Sequence, residues 1–120
     1  MKHNLTDINR IEHIIESITN LESFLENVSF EEFSNNKEKI LAVERSLEII
    51  GEASNNISEK IILHPEISTP WRQIISTRNI IAHEYFRVDI EIIYKIATNN
   101  IIPLKKDIQT ILKDLDKYLK

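Results

Sequence analysis

Cysteine is absent from the 120 residues. Disulfides, thiolate metal sites and a cysteine nucleophile are therefore excluded, and a reducing compartment is permitted. The chain has one Gly and three Pro, too few for a turn-rich β fold. No apolar run exceeds the four residues Ile40 to Val43, so nothing reads as a bilayer span. The first residues, Met1-Lys2-His3-Asn4-Leu5-Thr6-Asp7, lack the apolar core of a signal peptide. A cytoplasmic protein is expected. No Gly-rich loop cradles phosphate, and no Asp/Glu/His spacing on one helix face suggests a metal. No cofactor is implied.

What is present suits one domain over residues 1–120. Hydrophobic residues make up 42% and charged residues 28%, as in ordinary soluble proteins. The formal charge is −4 and the pI about 5.6. Non-specific nucleic-acid affinity comes from neutralising phosphates. An acidic chain that meets nucleic acid therefore needs a local basic site, within a subunit or assembled between subunits.

Apolar residues recur at helical spacing throughout. Ile8, Ile11, Ile15, Ile18, Leu21, Leu25 and Val28 form one stripe after a Thr6/Asp7 start. Ser29-Phe30-Glu31-Glu32 is a capping-box pattern opening a short turn with Phe30 and Phe33. A second long helix is expected from about Asn36 to Asn56, with Ile40, Val43, Leu47, Ile50 and Ile57 on its stripe. Gly51 inside it costs roughly 1 kcal/mol against Ala and favours close helix approach. Thr69-Pro70 reads as N-cap and first residue of a third helix carrying Trp71, Ile74 and Ile75.

Asp89 caps a fourth helix with Ile90, Ile93 and either Ile96 or Ala97. Pro103 kinks it or opens a fifth. Ile108, Ile111, Leu112, Leu115 and Leu119 continue the stripe to the end. Asn35-Asn36, Asn55-Asn56 and Asn99-Asn100 fall near proposed helix ends. The lysines of 105–120, interleaved with Asp107, Asp114 and Asp116, read as a solvated face. The fold class is all-α, an up-and-down bundle of about four to five helices.

Chemistry concentrates in Arg78-Asn79-Ile80-Ile81-Ala82-His83-Glu84-Tyr85. Arginine grips phosphate with a planar fork of donors. Histidine exchanges a proton near neutral pH. Arg78 and Tyr85 share one helical stripe, and Asn79 and His83 stack one turn apart. Arg78 and His83 lie about 140° apart around a helix. They converge if the helix ends near Ala82, or across a two-fold dimer axis. Trp71, Ile74, Arg78, Ile81 and Tyr85 form a core-like stripe with a cation in its middle. A buried guanidinium needs a partner, and Glu48 and Glu52 of the second helix are the candidates. Read from spacing alone, Arg78 and His83 also suit helix capping.

The segment Trp71 to Phe86, with Arg78, His83 and Tyr85 in the register R-x4-H-x-Y, resembles the signature of HepT-type toxins of the HEPN superfamily. Leu47-Glu48-Ile49-Ile50-Gly51-Glu52-Ala53 resembles that family's second-helix pattern, so the likeness covers nearly the whole chain. It implies a HEPN-like homodimer and a metal-independent endoribonuclease acting on mRNA or tRNA. Arg78 and His83 are then catalytic, with Asn79 supporting. It also implies an MNT-type nucleotidyltransferase antitoxin that transfers AMP to Tyr85. A non-catalytic helical module positioning nucleotide for such an enzyme is the alternative.

Overall fold

The computed structural model describes residues 2–58, 61, 64, 73–76 and 89–119. Among them are six helices and no strand: α1 (Lys2–Leu25), α2 (Phe30–Ser34), α3 (Lys37–Asn55), α4 (Ile90–Lys95), α5 (Ile101–Lys113) and α6 (Leu115–Leu119). A π-helical turn, Ile96–Asn100, joins α4 to α5. Residues 73–76 are also helical. The all-α expectation holds. The predicted rods correspond to α1, α3 and the α4–α5 arm, with α2 and α6 as single short turns between or after them. No helix among the described residues is long and apolar enough to cross a membrane.

The α1–α3 pair is the centre. Ile11, Ile14, Ile18 and Leu21 of α1 are buried, as are Val43, Leu47 and Ile50 of α3. Each such side chain contributes about 1.5–3 kcal/mol on leaving water. Ile14, absent from the predicted stripe, is buried, whereas Ile8 and Ile15 only flank the core. A stripe at three-and-four spacing covers a band wider than one line of residues. Gly51 is buried on the same helix.

Two contacts fix the pair as antiparallel. Arg10 donates to the Asn56 carbonyl at 2.9 Å. The buried Asp7 accepts from the Ser58 amide (3.1 Å) and hydroxyl (2.8 Å). The start of α1 is thus tied to the chain leaving α3.

Helix ends follow local chemistry. α1 stops at Leu25, short of the expected Val28, because Asn27 turns left-handed with φ 58°. Asparagine tolerates that conformation at a helix exit. Ser29 caps α2, accepting from the Glu32 amide at 3.1 Å while its hydroxyl donates to the Glu32 carboxylate. Asn36 and Asn56 bound α3 as expected. Tyr94 of α4 donates to the Val28 carbonyl at 2.7 Å and packs against Phe30 and Phe33, pinning α2.

The choice left open at Pro103 resolves as a new helix after a widened turn. Pro103 is the third residue of α5, where a missing N–H costs little. Its ring would press on the carbonyl four residues back. The chain widens there, with the Ile101 amide reaching the Ile96 carbonyl. Ile96 and Ala97 are both buried, so the either-or on the stripe becomes both. Asn99-Asn100 closes this turn, and Asn100 is the residue before α5, so the pair does fall at a helix boundary, though with no side-chain cap bond.

The final stripe is also broken. Asp114 leaves helical geometry and its carboxylate accepts from the Lys117 amide. Tyr118 of α6 then enters the core beside the His64 ring, 4.6 Å away. The solvated-face expectation fails at Asp107, which is buried. It falls one turn from Leu104 and Ile111 on the inner side of α5. Lys105 reaches Glu22 of α1 at 2.7 Å.

Asp7→Ala is expected to destabilise the fold by about 1–3 kcal/mol, because it strands two donors of Ser58. Asp7→Asn, which keeps one acceptor, loses less. Urea unfolding checks this through a lower midpoint at unchanged slope. A midpoint unmoved by Asp7→Ala would remove the α1–α3 tether from the account.

Candidate functional site

Arg78, Asn79, His83 and Tyr85 lie outside the described residues, as do Trp71 and the Thr69-Pro70 cap. Their flanks are described. On the upstream side Ile74 is 2% exposed and seats residues 73–76 on the core. Ser76 donates to the Gln73 carbonyl at 2.9 Å. On the downstream side the Asp89 carboxylate accepts from the amides of Glu91 (2.9 Å) and Ile92 (3.4 Å), capping α4 as expected. Gln73, Ser76, Ile92, Lys95, Ile96 and Asn100 line a cleft of about 290 Å³ between these flanks.

The two carboxylates proposed as partners of Arg78 are both on α3, one turn apart. Glu48 is half-buried and lies 3.7 Å from the Arg45 guanidinium. Glu52 is exposed, and its backbone carbonyl accepts from the Asn56 side chain at 2.8 Å. Burial, with the neighbouring Glu48 charge second, holds the Glu44 carboxyl above its ordinary value.

A site that sequence reasoning did not single out lies along the α1–α3 seam. Arg10 and His13 on one wall face Arg45, Glu52 and Asn56 on the other, around a cleft of about 410 Å³. A second hollow of about 400 Å³ continues it past His13 and Ile49 to Glu16, Ser17 and Asn20. The signal was present in the sequence. Asn9, His13, Glu16 and Asn20 repeat at three and four, beside the apolar stripe of α1. Arg10 and Arg45 are the two arginines among the described residues, and both line this groove. Its donors suit anionic oxygen. Among the described residues no group of three or more His, Asp or Glu could hold a metal ion.

Residues 14–111 match the family model described as ribonuclease HepT-like. The chain belongs to the HepT-like ribonuclease family. One relative of this HepT-like chain is the "Probable ribonuclease HepT" of Thermococcus cleftensis. It is 40% identical over 104 residues, which cover 86% of this chain and 93% of that protein. Another is the "Putative RNase MJ1380" of Methanocaldococcus jannaschii, 36% identical over 102 residues, 82% of this chain and 89% of that one. No solved structure gives a significant match. The matched stretch contains α3 and the whole Arg78–Tyr85 segment, and it begins just after His13.

The raised Glu44 carboxyl has a checkable consequence. Ionising it costs the folded state stability. That cost is absent below the unfolded pKa and complete above the folded one. Glu44→Gln is therefore expected to raise the Tm at neutral pH. The gain should fade as pH falls to about 4, the ordinary carboxylate range. Melting curves across that range test it, and a gain that grows on acidification contradicts it.

Proposed function

We propose that this HepT-like chain is a metal-independent endoribonuclease toxin, active as a cytoplasmic homodimer on mRNA or tRNA. The observation that carries the reading is the family match across residues 14–111, which includes Arg78, Asn79, His83 and Tyr85 in unbroken register. Relatives named as ribonucleases support the activity class.

The chemistry follows from those residue types. The RNA 2′-hydroxyl attacks the adjacent phosphorus as a base removes its proton. The P–O5′ bond breaks as an acid protonates the leaving oxygen. The products are a 2′,3′-cyclic phosphate and a free 5′-hydroxyl. The pentacoordinate phosphorus carries extra negative charge, which Arg78 stabilises electrostatically. One imidazole cannot be base and acid at the same moment. A two-fold dimer supplies His83 twice and Arg78 twice in one cleft. In that arrangement one His83 takes the proton and the other gives one, or Arg78 carries most of the stabilisation. Asn79 supports them, and Glu48 or Glu52 balances the Arg78 charge.

Control of the toxin uses the same stripe. An MNT-type nucleotidyltransferase antitoxin transfers AMP from ATP to the Tyr85 hydroxyl, releasing pyrophosphate. The added phosphate pairs with Arg78 and repels an incoming RNA backbone.

His83→Ala is expected to cut RNA cleavage at least about 100-fold with dimerisation kept. Arg78→Lys should also fail, because an ammonium lacks the fork. Cleavage should persist in EDTA and leave cyclic-phosphate ends. Full activity of His83→Ala, with loss of a partner complex instead, would point to a non-catalytic module that positions nucleotide. Intact mass after co-expression with a cognate MNT-type nucleotidyltransferase is expected to show one or more adenylyl groups, lost in Tyr85→Phe. An unmodified wild-type chain removes the AMP step.

A further inference from the structure

The α1–α3 groove is lined by described residues and shares only Glu52 with the chemistry proposed above. Two features mark it. It gathers both described arginines on a protein of charge −4, while the described lysines lie elsewhere. In addition, Arg10 is held in place by its bond to the Asn56 carbonyl, which fixes the guanidinium and leaves further donors open to the cleft.

We infer that this groove is a binding track for single-stranded RNA, one that seats the strand upstream or downstream of the cut. The inference rests on the reading that RNA is the substrate. A backbone phosphate sits between Arg10 and Arg45, with His13 beside it. The strand then runs over the apolar side chain of Ile49, against which a ribose or base can lie, toward Ser17 and Asn20. From Asn9 to Asn20 the α1 wall spans roughly 16 Å at the helical rise, enough for a few nucleotides. Glu16 and Glu52 also line the groove. They hold its net charge low, which disfavours a generic polyanion, and a carboxylate accepts from exocyclic amino groups of bases. Glu52 is also one of the two carboxylates offered above, as alternatives, to balance the Arg78 charge.

The test is fluorescence anisotropy of an end-labelled eight-nucleotide single-stranded RNA on the full chain, in a His83→Ala background that stops turnover. Each phosphate contact on a single strand contributes about 0.7 to the slope of log K against log salt. Arg10→Gln/Arg45→Gln should weaken binding about tenfold or more and lower that slope by about 1.4. Arg45→Gln alone, at a side chain 69% exposed and so safe for folding, should lower it by about 0.7. Arg45→Lys should restore the slope. Lys106→Gln/Lys113→Gln, an equal charge change on exposed positions of α5, should leave it unaltered. An unchanged slope in the Arg45 variant overturns the track. So does an equal fall in the lysine pair, which would mark a diffuse charge effect. Cleavage by the wild-type chain is scored separately. If cleavage depends on His83 while the groove variants bind normally, the ribonuclease stands and the track falls. If groove variants lose binding and no cleavage occurs, the reverse holds.

Discussion

Everything described hangs on the apolar seam between α1 and α3. Ile11, Ile14 and Ile18 meet Val43, Leu47 and Ile50 in a buried core, and the α4–α5 arm adds Ile93, Leu104 and Ile108 to it. Without that seam the remaining helices are too short to persist, since isolated helices below about 12–15 residues are marginal in water. α2 and α6 have five residues each. They exist because Phe33 and Tyr118 bury against what the long helices provide. The seam also makes function possible at its rim. The same two helices that close the core on one side leave polar residues facing each other on the other, and that is the groove.

The fold was largely legible because its grammar is local. The three-and-four spacing of isoleucines located α1 and α3, and Ser29, Asn36 and Asp89 announced helix starts through their side-chain oxygens. The failures occurred where a tertiary contact overrode that grammar. Asp107 is polar yet lies inside, because its place on α5 falls one turn from the core positions Leu104 and Ile111. Tyr118 enters the core once Asp114 restarts the helix, a position outside the predicted stripe. The π-turn needed both Pro103 and the demand that Ile96 and Ala97 go inward together.

The site was legible in a different sense. Arg78, His83 and Tyr85 resemble a family signature that no amount of periodicity would reveal, and the family match over residues 14–111 spans them. The groove shows the converse. Arg10 and Arg45 are 35 residues apart in sequence, and nothing local links them. Only the antiparallel docking of α1 on α3, fixed by Asp7 and Arg10 at its end, sets the two guanidinium groups around one cleft.

The ring of Tyr118 against His64 has a mechanical meaning. Ser58 is tethered to α1 through Asp7, and His64 is clasped by the last helix. Residues 58 and 64, which follow α3, are thereby held by α1 and by α6 at once. Trimming the tail after Asp114, or fusing a bulky tag there, would loosen that grip at a distance.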